Sequence, residues 1–124
     1  KLRRHLQFCT SDKYIKFDPG SLMDALDHHW IQLKYETEIG FNVQPLWRDQ
    51  YVKHGTCCLP RYNQTQYFLL AMRLKDKFDL LTTLTTHGIT PGTKHTFKKI
   101  YDAIKTVTQN NPDLKCVENI KGVL

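Results

Sequence analysis

Apolar residues recur at helical spacing in the first part of the chain, directly after the turn sequence Asp18-Pro19-Gly20-Ser21. The apolar positions are Leu22, Ala25, Leu26, Trp30 and Leu33. Residues three and four apart share one face of a helix, so this pattern predicts an amphipathic helix over residues 21–34. Asp24 stands in the capping-box position relative to Ser21, which marks the helix start.

Two further apolar stripes lie in the second half of the chain. The first consists of Phe68, Leu69, Met72, Leu74, Phe78, Leu81 and Leu84, and the second of Phe97, Ile100, Tyr101, Ile104 and Val107. The first stripe predicts one unusually long helix that ends near His87, with Gly88 as the C-cap. The second predicts a helix over residues 93–108, which the Asn-Asn-Pro sequence at residues 110–112 ends.

The other segments are shorter or irregular. Residues 1–17 are basic and have no regular period, and residues 35–45 predict a loop around Gly40 and Pro45. Residues 114–117 predict a strand, whose partner strands are mostly missing from this chain. The predicted fold class is therefore α+β, with helices dominating.

Charge is the compositional feature that says most about partners. Eighteen Lys and Arg against twelve Asp and Glu give a formal net charge of +6 over 124 residues. This balance favours a polyanionic partner or an anionic surface, although a merely basic protein fits the charge equally well. The length suits one domain. No segment reaches the roughly twenty consecutive apolar residues of a membrane span. The chain begins at Lys1 without an initiator Met or a signal peptide, so we expect a processed or truncated start.

The four cysteines favour an oxidising compartment. Cys57 and Cys58 are adjacent and are not expected to bond each other, because a disulfide needs converging Cβ vectors and Cα atoms more than about 4 Å apart. Two pairings remain, in which Cys9 bonds either Cys57 or Cys58 and Cys116 takes the other. The histidines and cysteines have no zinc spacing and the chain has no glycine-rich phosphate loop, so no metal or cofactor site is predicted.

The richest candidate chemistry lies in residues 46–54, which predict a short helix. Gln50 lies three residues before Lys53 and four before His54, so the three side chains would share one surface. A histidine carries protons near neutral pH, and a lysine holds negative charge without accepting a proton. This surface therefore suits phosphate chemistry.

Two aromatic residues of the same helix form a neighbouring stripe. Trp47 and Tyr51 lie four residues apart, so their rings would meet on one side of the helix. Such large flat groups either anchor a helix or face a nucleobase. We therefore assign both as candidate substrate-binding residues.

The sequence Trp-Arg-Asp-Gln-Tyr-Val-Lys-His-Gly-Thr-Cys at residues 47–57 resembles the second catalytic segment of the ribonuclease T2 family of secreted endoribonucleases. The doubled cysteine that follows and residues 29–34, 62–68 and 87–92 are similar to the S-RNases, the self-incompatibility ribonucleases of the nightshade family. The resemblance runs along almost the whole chain. It implies a ribonuclease T2-like fold, of which residues 1–124 form a single partial domain that lacks most of a central antiparallel sheet.

The resemblance also implies catalytic roles. Family members cleave RNA through a 2′,3′-cyclic phosphate with two histidines and without a metal or cofactor. Carried over, His54 is the general base and Lys53 stabilises charge on the phosphorane. Gln50 stands where the wider family often has glutamate, and it can donate a hydrogen bond but cannot titrate. Asp49 stands where some fungal members have a phosphate-binding histidine, a role that a carboxylate does not fill.

One departure from the family is an absence. The second histidine of the family belongs to a His-Gly-Leu-Trp-Pro type segment, and residues 1–124 contain no such sequence. We expect this chain to be a fragment of a longer enzyme and to be inactive by itself.

The resemblance further implies a disulfide and a secreted protein. It pairs Cys9 with Cys57, gives Cys116 a partner beyond Leu124, and leaves Cys58 as a free or buried thiol. A bridge that closes a loop of about fifty residues stabilises a fold by roughly 4 kcal/mol in the chain-entropy model. The sequence Asn63-Gln64-Thr65 is a formal N-glycosylation acceptor, which fits a secreted glycoprotein, although it also begins a predicted helix.

Three functions follow as expectations. The first is a stylar S-RNase, a monomer that cleaves RNA without strict sequence preference and meets pollen F-box proteins through residues 1–18 and 34–42. The second is an S-like ribonuclease of defence or phosphate scavenging. The third is a non-catalytic binding glycoprotein on the same scaffold.

Overall fold

The computed structural model describes residues 6–115, and the chain divides into two compact units, Lys1–Leu74 and Lys75–Leu124. Within the described residues all regular structure is helical. The predicted strand at residues 114–117 does not appear where it can be seen, since Leu114 and Lys115 have no strand structure and residues 116–117 lie outside the described part. No helix among the described residues is long and apolar enough to cross a membrane.

The first unit contains three short helices, a 3₁₀ turn and most of a longer helix. These are α1 (Ser21–His29), α2 (Thr37–Val43), α3 (Pro45–Lys53), the 3₁₀ turn (Gly55–Cys58) and α4 (Gln64–Phe78). Their buried side chains form one hydrophobic cluster, made of Met23, Leu26, Trp47, Tyr51, Phe68 and Met72. The ring of Phe68 lies fully buried at its centre, with ring centroids of Trp30 at 5.2 Å and of Phe17 at 5.6 Å.

Helix α1 is shorter than its apolar pattern predicts. It ends at His29, where Trp30 leaves helical geometry (φ −128°, ψ 61°) and its ring packs on Phe68. Leu33, predicted as part of the apolar face, is 88% exposed. The capping-box prediction is also wrong, because Gly20 is the N-cap and no side chain caps the helix.

Helix α2 occupies the segment predicted as a loop, and that prediction is wrong. Gly40 lies inside this helix because the Gln32 side chain passes close to it; a Cβ there would stand 3.3 Å from Gln32 Nε2. Gln32 donates a hydrogen bond to the Gly40 carbonyl and accepts one from the Leu46 N–H at 3.1 Å. Pro45 is the first residue of α3, a position where proline loses no helical hydrogen bond. Gly40 therefore allows close packing inside a helix, and Pro45 begins the next helix.

The second unit contains α5 (Leu80–Thr86) and α6 (Phe97–Thr108). The predicted single long helix is interrupted at Asp79, whose left-handed backbone (φ 24°) separates α4 from α5 and whose side chain accepts a hydrogen bond from the Thr82 N–H. Hydrogen bonds from the side chain and the main chain of Thr82 lower the pKa of the Asp79 carboxyl. The C-cap of α5 is His87 and not Gly88 as predicted; Gly88 is the next residue and has the left-handed backbone (φ +65°) that commonly follows a helix end.

Helix α6 begins at Phe97, four residues later than the predicted start at residue 93. Its N-cap is Thr96, whose side chain accepts a hydrogen bond from the Lys99 N–H. A Thr side chain at this position satisfies one of the free N–H groups of the first turn. The predicted end at Thr108 agrees with the structure.

A buried glutamine joins α2 to α3. Gln44 is 2% exposed and has a left-handed backbone (φ 53°, ψ 47°). Its Oε1 accepts hydrogen bonds from the Tyr14 hydroxyl at 2.6 Å and the Phe17 N–H at 2.9 Å. Its Nε2 donates to the carbonyls of Phe17 at 2.8 Å and Phe41 at 3.0 Å. Burial raises the pKa of the Tyr14 phenol, so the hydroxyl remains a donor. This one amide thus attaches the irregular N-terminal segment to the helices.

We predict that Gln44→Ala in the full-length protein lowers the free energy of unfolding by about 3 kcal/mol, because buried donors and acceptors lose their partners. Gln109→Ala is the matched control, since Gln109 also has a left-handed backbone (φ 57°) but is exposed. Urea denaturation measures both variants. Equal losses in the two would contradict the proposed structural role of the buried amide.

Candidate active site

The candidate site lies at the C-terminal end of α3. The helix ends at Lys53, and His54 is its C-cap with φ −120° and ψ −40°. The His54 N–H donates to the Gln50 carbonyl at 2.9 Å, which keeps the first turn after the helix attached to it. Gln50, Lys53 and His54 are all partly exposed. The predicted short helix over residues 46–54 is therefore present, displaced by one residue.

Two groups from other segments bind the last carbonyls of α3. The Phe8 N–H donates to the Lys53 carbonyl at 2.8 Å. The Thr56 hydroxyl, which is almost fully buried, donates to the Val52 carbonyl at 3.0 Å and accepts from the Cys9 N–H at 3.2 Å. These carbonyls have no partners within the helix, so the bonds satisfy groups that would otherwise face the protein interior unpaired.

A disulfide makes this attachment covalent. Cys9 and Cys57 are bonded, with Cα atoms 4.9 Å apart and 48 residues of separation. This is the pairing that the family resemblance implies. Cys58 is a free, partly buried thiol, as expected from the same resemblance. Cys116 lies outside the described residues.

Gly55 allows the chain to turn directly after His54. A Cβ at this position would overlap the Tyr51 ring and lie 3.1 Å from Cδ1 of Tyr67. Gly55 in the Lys-His-Gly-Thr-Cys sequence thus lets the main chain pass close to two aromatic rings. This contact sets where His54 leaves the helix.

Trp47 and Tyr51 belong to the core, and their assignment as substrate-binding residues is not supported by where the rings lie. Trp47 has no exposed surface, and its indole N–H donates to the Trp30 carbonyl at 3.0 Å. Tyr51 is 4% exposed, and burial raises the pKa of its phenol. The Trp47 ring therefore cannot stack on a nucleobase, and the Tyr51 ring has almost no surface on which a base could stack. Of the two roles open from the sequence, these residues have the anchoring one.

A cleft of about 470 Å³ lies along the outer side of α3. It is lined by Phe8, Arg48, Asp49, Gln50, Val52 and Lys53. Gln50 and Lys53 therefore share one surface as predicted, whereas His54 borders this surface in sequence but does not line the cleft. Arg48 and Asp49 form an exposed ion pair, with 3.2 Å between Arg48 Nε and Asp49 Oδ1.

Three cleft residues were given no role from the sequence, namely Phe8, Arg48 and Val52. Arg48 lies within the motif but has no role in the resemblance. Phe8 belongs to a segment without any regular pattern. Its position next to Cys9 is the available signal, because a bond from Cys9 to Cys57 brings Phe8 to the end of α3.

Metal ligands do not converge in the described part of the chain. Within residues 6–115, no three or more His, Cys, Asp or Glu side chains are grouped so that they could hold a metal ion. The groups that the site offers are an amide, two cations, a carboxylate paired with one of them, a partly exposed imidazole and an aromatic ring. These can bind phosphate and transfer protons.

Comparison with known proteins shows the family of this chain. The Ribonuclease T2 family model matches residues 2–123. The chain belongs to the ribonuclease T2 family. It is 83% identical over 123 residues to Ribonuclease S-2 of Solanum tuberosum, covering 99% of this chain and 55% of that protein. It is 60% identical over 126 residues to Ribonuclease S-3 of Petunia hybrida, covering 100% of this chain and 57% of that protein.

A solved ribonuclease T2-type structure has the same fold. The crystal structure of the gametophytic self-incompatibility associated SF11-RNase of Nicotiana alata superimposes with a TM-score of 0.90 at 54% identity, covering 98% of this chain and 62% of that one. The present chain thus spans somewhat more than half the length of the relatives it matches. The ribonuclease T2-type fold is confirmed, and the regular structure of the described residues is helical, so the expected central sheet is not seen among them.

We predict that replacing Cys9 and Cys57 together by serine lowers the free energy of unfolding of the full-length protein by roughly 4 kcal/mol, because the unfolded chain regains the freedom of a long loop. Cys58→Ser is the matched control, since it removes a neighbouring thiol that forms no disulfide, and should change stability by less than about 1 kcal/mol. Chemical denaturation without reductant measures both. A control as destabilised as the double variant would argue against the bridge as the source of stability.

Proposed function

We propose that the full-length protein containing this chain is an endoribonuclease that cleaves RNA through a 2′,3′-cyclic phosphate by metal-free acid–base catalysis. The observation that carries the proposal is the Lys53-His54-Gly55-Thr56-Cys57 sequence at a partly exposed helix end, in a chain of the ribonuclease T2 family. The named relatives are ribonucleases, which supports the same class of activity.

The proposed reaction needs three functions at one phosphate. His54 takes the proton of the 2′-hydroxyl, whose oxygen then forms a bond to phosphorus while the bond from phosphorus to the 5′-oxygen breaks. Lys53 stabilises the charge that develops on the phosphorane oxygens, and Gln50 donates a hydrogen bond to the same group. A general acid must protonate the departing 5′-oxygen. Family resemblance assigns this step to a second histidine, in a segment type that this chain does not contain.

The attachment of α3 supports these roles. The Lys53 carbonyl is bonded to Phe8, and the following turn is bonded through Thr56 and the disulfide. A catalytic group must be held close to its productive position, because small displacements reduce the rate strongly. The bonds at the end of α3 hold the main chain of Lys53 and His54, from which the two proposed catalytic side chains extend.

We further propose that the protein is a secreted stylar S-RNase of gametophytic self-incompatibility and acts as a monomer. Its relatives support this role, since they include Ribonucleases S-2 and S-3 and the self-incompatibility associated SF11-RNase. Pollen F-box proteins would meet residues 1–18 and 34–42, where Ile15 is 75% exposed and Ile39 is 44% exposed. Rejection of matching pollen by styles that express the full-length protein is the measurement. An S-like ribonuclease would retain RNA cleavage without pollen rejection.

Asn63 is the proposed glycosylation site. Its side-chain oxygen accepts a hydrogen bond from the Gln66 N–H at 2.9 Å, and Gln66 Oε1 accepts one from the Asn63 N–H at 3.0 Å. This pair is a capping box at the start of α4. The side-chain nitrogen, to which an N-linked glycan attaches, takes no part in these two bonds.

We predict that Thr65→Ala in the full-length protein expressed in plant cells removes one N-glycan, because it destroys the acceptor sequence while Asn63 and Gln66 remain. Thr65→Ser, which preserves the acceptor, is the matched control. Mass spectrometry before and after enzymatic deglycosylation measures the change. Identical glycan masses for both variants would show that Asn63 is not used.

We predict that His54→Ala in the full-length protein lowers kcat for RNA cleavage by about 10²- to 10⁴-fold, the usual contribution of a general base. Lys53→Ala should also lower kcat, because it removes charge next to the phosphorane. His87→Ala is the matched control, since His87 is exposed and its Nδ1 contacts the Thr83 carbonyl at 2.8 Å within α5 and its cap. Undiminished cleavage by the His54 variant would exclude the proposed role, and inactivity of the wild-type protein would favour a non-catalytic glycoprotein.

A further inference from the structure

Phe8 combines two features that are both unfavourable for the stability of the fold. Its side chain is 62% exposed although it is large and apolar. Its backbone has φ +50°, in the left-handed region that bulky residues seldom adopt. Strained residues of this kind occur preferentially at functional sites, where the surrounding structure holds them in place.

Three bonds hold Phe8 against the end of α3. Its own N–H donates to the Lys53 carbonyl at 2.8 Å. The next residue, Cys9, is bonded covalently to Cys57 and donates its N–H to the Thr56 hydroxyl at 3.2 Å. The position of the Phe8 main chain relative to Lys53 is thus set by a direct bond and by its immediate neighbour.

The cleft beside the Phe8 side chain has the size and the polar groups that suit a nucleotide. The cleft that it lines measures about 470 Å³, within the range of roughly 300–1,000 Å³ for small-ligand clefts. Gln50, Lys53 and Arg48 line the same cleft and supply an amide donor and two cations. Sites for single-stranded nucleic acid combine positive charge along the backbone with aromatic faces for the bases. The formal net charge of +6 favours a polyanion.

Charge within the cleft indicates where each part of a nucleotide would lie. The Asp49 carboxylate is paired with Arg48 at 3.2 Å, so the positive charge on that side is partly neutralised. Lys53 forms no ion pair among the described residues and is the cation available to a phosphate. With the phosphate at Lys53, the base would lie toward the aromatic side of the cleft.

We propose that Phe8 is a substrate-binding residue whose ring stacks on a nucleobase of the RNA next to the phosphate held at Lys53. The inference rests on the proposed function for its substrate class, and it adds a subsite that tolerates any base, because every base presents a π-face. The strained backbone and the exposed ring then have one common explanation, which is presentation of an aromatic face to the cleft.

The test uses the full-length protein with Phe8→Gly and Phe8→Trp. Glycine adopts a left-handed backbone without cost, so Phe8→Gly removes the ring without adding strain. Tryptophan retains an aromatic face. Tyr35→Gly is the control for loss of an exposed aromatic ring, since Tyr35 is 41% exposed and does not line the cleft.

The probes are a single-stranded 2′-deoxyoligonucleotide, which has no 2′-hydroxyl to attack the phosphate, and the corresponding RNA. Loss of one stacked base should weaken binding of the deoxyoligonucleotide by about 5- to 150-fold in Phe8→Gly. The KM for RNA should rise by a similar factor, with kcat changed much less. Phe8→Trp should bind nearly as well as the wild type, and Tyr35→Gly should be unchanged.

Binding by Phe8→Gly equal to that of the wild type, or binding by Phe8→Trp as weak as that of Phe8→Gly, would overturn the inference. A wild-type protein that cleaves RNA while Phe8→Gly retains its KM would leave the proposed function intact and refute the role of Phe8. A wild-type protein that binds the deoxyoligonucleotide through Phe8 but does not cleave RNA would support the subsite and refute the catalytic proposal.

Discussion

The carbonyl groups at the C-terminal end of α3 need hydrogen-bond donors, and much of the candidate site depends on how this need is met. A helix leaves its last carbonyls without partners of its own. Here the donors are the Phe8 N–H and the Thr56 hydroxyl, and Thr56 also joins Cys9 across 47 residues of sequence. The disulfide from Cys9 to Cys57 makes the arrangement covalent. A requirement of the main chain thereby brings an N-terminal segment beside Lys53 and His54, the proposed catalytic residues.

The other end of α3 is held by buried amides. Gln44 and Gln32 place polar side chains in the interior and bond them to main-chain groups of neighbouring segments. Between the two ends, Trp47 and Tyr51 pack the inner side of the helix into the core. Fully satisfied buried amides rigidify their surroundings, because any displacement leaves costly unpaired groups. The cleft is thus carried by a helix that is held at both ends and along its inner face.

Local patterns predict some elements well and fail at others for identifiable reasons. The end of α6 at Thr108 follows from its own apolar stripe and the turn sequence after it. The break at Asp79 is hidden because the apolar stripe continues across it, whereas the break itself depends on a side-chain cap. Gly40 suggests a loop from the local sequence alone. The sequence does not show that the side chain of Gln32, eight residues earlier, occupies the space beside this glycine.

The sequence by itself determined the helical character of α3, the shared face of Gln50 and Lys53, and the family to which the chain belongs. Each depends on residue types at short spacing, which the chain presents directly. Only the tertiary structure decided that Trp47 and Tyr51 face inward and that Phe8 completes the outer cleft. Both results depend on contacts between segments far apart in sequence. Helical periodicity shows which residues share a face, but it does not show whether that face packs in the core or faces solvent.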